Sequence, residues 1–148
     1  MKTRLKSINN PEAMTMWCGP AAISIITGNR VEWAASKLAK IKYDKCRPKM
    51  VRGVSNFEMR YVLDRMGYEC IRLHDHDCKG MTLGKWIDSY SSKHHRAVIL
   101  VNVTEHYVVA NLGHVADNHK PNGCPVGEHP ARRKIIKCAW IVKRRRTS

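Results

Sequence analysis

The stretch AVILVNVTEHYVVANLGHVAD, residues 97–117, decides the fold. Ala97 to Val103 is an almost continuous apolar run, and His106 to Leu112 follows after two residues. β-Branched and aromatic residues dominate both runs, which marks strands rather than helices. Gly113 supplies a turn, and Val115 to Asp117 reads as a third strand pairing back on the second. Downstream, a polar loop rich in glycine and proline (Lys120 to Pro130) leads to IIKCAWIV, Ile135 to Val142, a last strand. Tyr68 to Leu73 reads as a short or edge strand.

Upstream of this meander the periodicity is helical. CGPAAISIIT, residues 18–27, places proline in a first turn and small or apolar residues behind it, and it ends at Gly28, as a short buried helix should. Asn29 and Glu32 have the spacing of a capping box ahead of a helix with Val31, Ala34, Ala35 and Leu38 on one face. Ser55 and Glu58 repeat the device ahead of Met59, Val62, Leu63 and Met66, with Gly67 as the stop. Thr82 caps a further helix striped by Leu83, Trp86, Ile87 and Tyr90. Helices followed by an antiparallel meander argue an α+β fold, N-terminal helices packed on an antiparallel sheet, rather than an alternating parallel one.

The chain has 148 residues, enough for one modest core, and no linker or repeat divides it, so residues 1–148 are expected to form a single domain. No apolar run approaches the length of a membrane span. MKTRLKSINNPEAM lacks the apolar middle and small-residue cleavage site of a secretory signal. The 6 cysteines show no CxxC pairing and are expected to be reduced, in the cytoplasm or enclosed in a particle. The formal net charge is +15. Seven cations lie between Lys37 and Arg52, and eight follow Ala131, ending in a basic tail from about residue 143 whose Arg144, Arg145 and Arg146 are candidate polyanion contacts. Such surfaces attract nucleic acid or an acidic protein, although no helix-turn-helix, zinc-finger or aromatic-studded RNA-binding pattern accompanies them.

Chemistry concentrates at Cys18, His106 and Asp117. A thiol at a helix N-terminus sits among unpaired N–H groups and the positive end of the helix dipole, which favour thiolate. A base must pair with it, and His106 opens a strand where a rigid sheet would hold its ring. With a turn near Leu112 and Gly113, antiparallel pairing sets Asp117 opposite Val108 and diagonal to His106, placed to orient the ring. Asn118 and His119 take that role if a bulge shifts the register.

CGPAA at Cys18, HYVVA at His106 and the aspartate of VADN at Asp117, in that order, resemble the papain-like cysteine peptidases, and most nearly the bacteriocin leader peptidases that cut after a double glycine, with their free-standing relatives. VLDRMGY, LGKWIDSY and the AVILVNV strand follow the same order of elements, so the resemblance spans nearly the whole chain. It implies a papain-like fold, Cys18 as nucleophile, His106 as general base and acid, Asp117 as orienting residue, and a peptide or protein substrate ending in small residues. One position departs. The family's glutamine six residues before the cysteine, an oxyanion donor, is here Glu12, which cannot donate when ionised. Asn10, or Asn9, is the candidate substitute, beside the backbone N–H of Cys18. Losing one such donor costs roughly 2.7–4 kcal/mol of transition-state stabilisation.

Two readings of function follow. In the first the protein is a papain-like thiol hydrolase, a peptidase or isopeptidase. In the second the scaffold is catalytically weak or inactive and serves as a basic structural or nucleic-acid-associated protein, for instance a virion component, a view favoured by Glu12 and the arginine-rich end. CIRLHDHDC, with Cys70, His74, His76 and Cys78, lacks a familiar zinc spacing and reads as a strand entering a polar loop. His114, His119, His129 and Cys124 are equally unconvincing as a metal clasp, so no metal is expected. Trp33, Trp86 and Trp140 fit core positions, and Trp17 would cover the first helix or line a groove. No nucleotide signature is present, and no cofactor is expected.

Overall fold

The computed structural model describes residues 4–6, 18–43, 53–94, 96–104 and 106–146. Among the described residues five α-helices, α1 (Cys18–Thr27), α2 (Val31–Tyr43), α3 (Asn56–Arg65), α4 (Asp75–Cys78) and α5 (Leu83–His94), accompany six strands, β1 (Tyr68–Arg72), β2 (Val98–Val103), β3 (His106–Asn111), β4 (His114–Ala116), β5 (Cys124–Pro125) and β6 (Ile136–Arg144). The strands form one sheet in the order β1-β6-β2-β3-β4-β5, with every pairing antiparallel. The fold is therefore α+β.

Both faces of the sheet are covered, which explains why its central strands read as continuous apolar runs instead of alternating ones. On one face Leu100, Tyr107, Val109, Ala116, Cys138 and Trp140 pack against α1, α2 and α3. On the other, Ile99, Val101, Val108, Ala110, Val115 and Ala139 pack against Leu83, Trp86 and Ile87 of α5 and against Cys78. Helix α1 is buried from Gly19 to Ile26 and lies against α2, α3 and β3. An apolar helix without a polar face can persist only in such a layer. Among the described residues no helix is long and apolar enough to cross a membrane.

Local signals account for the boundaries. Ser55 accepts the Glu58 N–H, and the Glu58 carboxylate accepts the Ser55 N–H, so the second capping box forms in full. The first does not. The Ala34 N–H donates to the Arg30 carbonyl, which starts α2 one residue later than an Asn29 cap requires, while Asn29 is held by Thr27 and Ser24. Leu112 and Gly113 both have positive φ, 52° and 76°, the two-residue turn whose twist suits a hairpin. This turn fixes the β3–β4 register as Asn111↔His114, Ala110↔Val115 and Val109↔Ala116.

Three further expectations need correction. Trp86 and Trp140 are core residues, but Trp33 is 36% exposed on the outer side of α2. The basic end does not start as a tail: β6 runs through Lys143 and Arg144, and the Arg145 N–H donates to the Gly67 carbonyl. The CIRLHDHDC stretch does not run from strand into loop, because residues 75–78 wind into α4 with Cys78 buried.

Candidate active site

Cys18 is the first residue of α1, and His106 the first of β3; packing of this helix on this strand brings the two together. Next to Cys18, α1 packs closely on Val54 because Gly19 carries no side chain. A Cβ there would lie 2.9 Å from Val54 Cγ2. Val54 is itself tied to β3, since the Tyr107 hydroxyl sits 3.0 Å from its carbonyl and 2.7 Å from Asn56 Oδ1. The residue after His106 thus anchors the segment that packs on Gly19.

The Cys18 thiol and the His106 ring lie near enough for each to shift the other's ionisation, the thiol downward and the imidazole upward. His106 Nε2 lies 2.7 Å from Asp117 Oδ2. With Nε2 committed to the carboxylate, Nδ1 is the ring atom left for sulfur. Asp117 directly follows β4, and extending the β3–β4 register by one step sets it across from Val108, diagonal to His106. Of the residues named for the orienting role, Asp117 contacts the ring through its carboxylate. Asn118 is buried, and exposed His119 gives its backbone N–H to Asp117 while holding its ring 5.7 Å from that of His106.

Asp117 is 1% exposed yet its charge is well satisfied. Oδ1 accepts backbone N–H groups from His119 at 3.0 Å and Lys120 at 2.8 Å. Burial works against the carboxylate, but His106, His129 and the Lys120 backbone outweigh it and hold its pKa far below the usual range. Burial likewise opposes the imidazolium of His106, and Asp117 and Cys18 overcome this to raise its pKa to about 9. Burial also opposes the Cys18 thiolate. The His106 hydrogen bond, the Tyr107 backbone, the charge of His106 and the Gly19 backbone together bring the thiol below its ordinary value. The other described cysteines, Cys70, Cys78, Cys124 and Cys138, are all shifted upward, chiefly by burial. Among the cysteines described, the sulfur at the head of α1 alone is biased toward thiolate.

His129 completes the cluster from an unforeseen direction. It is fully buried, and its Nδ1 accepts the Ala131 N–H at 3.0 Å. That bond puts the proton of a neutral ring on Nε2, which faces Asp117 Oδ1 at 3.3 Å, outside the alignment of a good hydrogen bond. The N–H dipole still favours the ionised carboxylate. Sequence spacing grouped His129 with candidate metal ligands; no periodicity links it to Asp117, and only the return of the chain through β5 and the short 3-10 turn at Val126–Glu128 places it there.

Other candidates do not assemble. Among the described residues no three of His, Cys, Asp and Glu converge on a point that a metal could occupy; the His74 and His76 rings stack on each other, 5.5 Å apart. Asn9, Asn10, Glu12 and Trp17 lie outside the described residues, as does Cys46. Arg144 ends β6, and Arg145 is engaged by the Asp64 carboxylate. Comparison of the chain with known protein families, with curated proteins and with solved structures finds no match.

Proposed function

We propose that this protein is a thiol hydrolase of papain-like architecture, a cysteine peptidase or isopeptidase working through Cys18, His106 and Asp117. The observation that carries the reading is the convergence of a thiol biased toward thiolate with an imidazole biased toward imidazolium, whose Nε2 lies 2.7 Å from a buried carboxylate. Structural buried cysteines have no use for such a chain of partners.

The chemistry follows from the protonation states. The Cys18 thiolate attacks a substrate carbonyl carbon, and the electron pair moves onto oxygen, where the Cys18 backbone N–H can donate. Nδ1 of His106 then gives its proton to the departing amine as the C–N bond breaks, leaving a thioester. Water, losing a proton to the now neutral imidazole, attacks the thioester and releases the acid, and the thiolate–imidazolium pair is restored. Asp117 keeps the ring oriented and its charge stabilised throughout, without itself taking a proton. Attack by an amine in place of water would give transamidation. A substrate with small residues before the scissile bond is the expectation that the family resemblance brings.

Labelling with iodoacetamide at about pH 6, where an ordinary thiol is almost wholly protonated, tests the reading. Cys18 should be modified well ahead of Cys124, and His106→Ala should abolish the preference. A Cys18 that reacts no faster than Cys124 would instead support the second reading, a catalytically inactive basic scaffold, which the +15 charge favours.

A further inference from the structure

Five large apolar side chains are exposed among the described residues, and three of them, Trp33, Phe57 and Tyr61, sit on α2 and α3. A hollow of about 750 Å³ lies there, with Trp33, Lys37 and Lys40 on one wall and Tyr61 and Arg65 on the other. Among the described residues no carboxylate lines it. Lys37 Nζ stands 5.3 Å from the centre of the Trp33 ring, and the Arg65 guanidinium 5.4 Å from that of Tyr61. A second hollow of about 320 Å³ shares Tyr61 and adds Phe57 and Arg60. Its Asp64 is engaged by Arg145, leaving Glu69 as the other acid on its wall. The Phe57 and Tyr61 rings are 6.0 Å apart, so the aromatic surface is continuous from one hollow into the next.

We infer that this strip on α2 and α3 binds single-stranded nucleic acid. Rings left in water are unfavourable for a monomer, yet they suit a ligand that offers flat faces. Cations interleaved with the rings meet a phosphate backbone while the bases stack. An acidic peptide would use the cations and leave the rings idle; a duplex hides its base faces. The sequence contained the cations of α2 but not this pattern, because Trp33 and Tyr61 are far apart along the chain. The inference is independent of the hydrolase reading and locates polyanion binding away from the arginine-rich end.

The test is fluorescence anisotropy of a labelled single-stranded oligodeoxythymidine with the full chain across a salt series. Trp33→Leu and Tyr61→Leu are each expected to weaken binding roughly tenfold, while Trp33→Phe retains most of it. Lys37→Gln should flatten the dependence of log affinity on log salt by about 0.7. Lys85→Gln, an exposed cation of α5 outside the strip, should change little, and unchanged melting temperatures verify that the variants fold. Three results overturn the inference: no binding at moderate salt, binding insensitive to loss of the rings, or a duplex or polyglutamate bound as tightly as the single strand. The last two would mean that charge alone attracts the ligand.

Discussion

Asp117→Asn turns the geometry of the site against itself. Two backbone N–H groups, from His119 and Lys120, converge on Oδ1 of the native carboxylate, while Oδ2 accepts from His106 Nε2. An asparagine has a single oxygen, and the paired backbone donors will hold it on their side, since the reverse orientation aims an NH₂ group at two N–H groups. The amide nitrogen then faces His106 Nε2. To accept from it, the imidazole must be neutral and carry its proton on Nδ1, toward Cys18, where it can no longer act as a base. The charge of His106 is lost with its partner. Burial, the largest influence on this ring, favours the neutral form, so its pKa should fall from about 9 to 6.5 or lower. At about 1.4 kcal/mol per unit this is on the order of 3 kcal/mol. Without the imidazolium the Cys18 thiol loses the partner that holds it below its ordinary value, burial then pushes it up, and its thiolate population at about pH 6 should drop. NMR titration of histidine-labelled protein reads the first effect, and the pH profile of Cys18 alkylation reads the second. A variant in which His106 still titrates near 9 and Cys18 alkylates at low pH like wild type would refute the assignment of Asp117 as the group that sustains the pair.

Three further outcomes are expected. His129→Phe removes the dipole facing Asp117 Oδ1 but leaves both backbone donors, so Cys18 alkylation at about pH 6 should fall by several-fold, well short of the loss in Asp117→Asn; equal losses would contradict this ranking. The pKa of Asp117 lies below its unfolded value of 3.8, so its charge contributes stability in full above that pH and progressively less as the pH falls below it. Urea midpoints measured down an acid series should therefore decline less steeply in Asp117→Asn than in wild type. Gly19→Ala puts a methyl 2.9 Å from Val54 Cγ2 and 3.1 Å from Val54 Cβ, which should cost about 1–3 kcal/mol in thermal unfolding, and Val54→Gly, which removes both atoms, should make the added methyl at residue 19 cost less than it does beside valine.

The continuous apolar runs of residues 98–103 and 106–111 could belong only to strands covered on both faces, and the helical stripes upstream supplied the layers that cover them. That much is local periodicity, and it was legible in the chain. So was the Ser55 cap, a device closed within four residues, and so was the hairpin register that aims Asp117 at His106, because a two-residue turn counts positions without ambiguity. Where two local signals competed the reading slipped: the Asn29 box had the spacing of a cap, but Thr27 and Ser24 hold Asn29 and the helix starts later. Trp33 lies off the stripe of Val31, Ala34, Ala35 and Leu38, and its exposure follows from that spacing rather than from the apolar size that suggests a core position. His129 could not have been placed beside Asp117 by any spacing rule, since the approach depends on how an irregular loop folds back. Sequence alone determined the residue types able to make a thiolate, a base and an orienting carboxylate; tertiary structure decided that their mutual influence outweighs the burial that opposes each charge, because desolvation and hydrogen bonding act through space rather than along the chain.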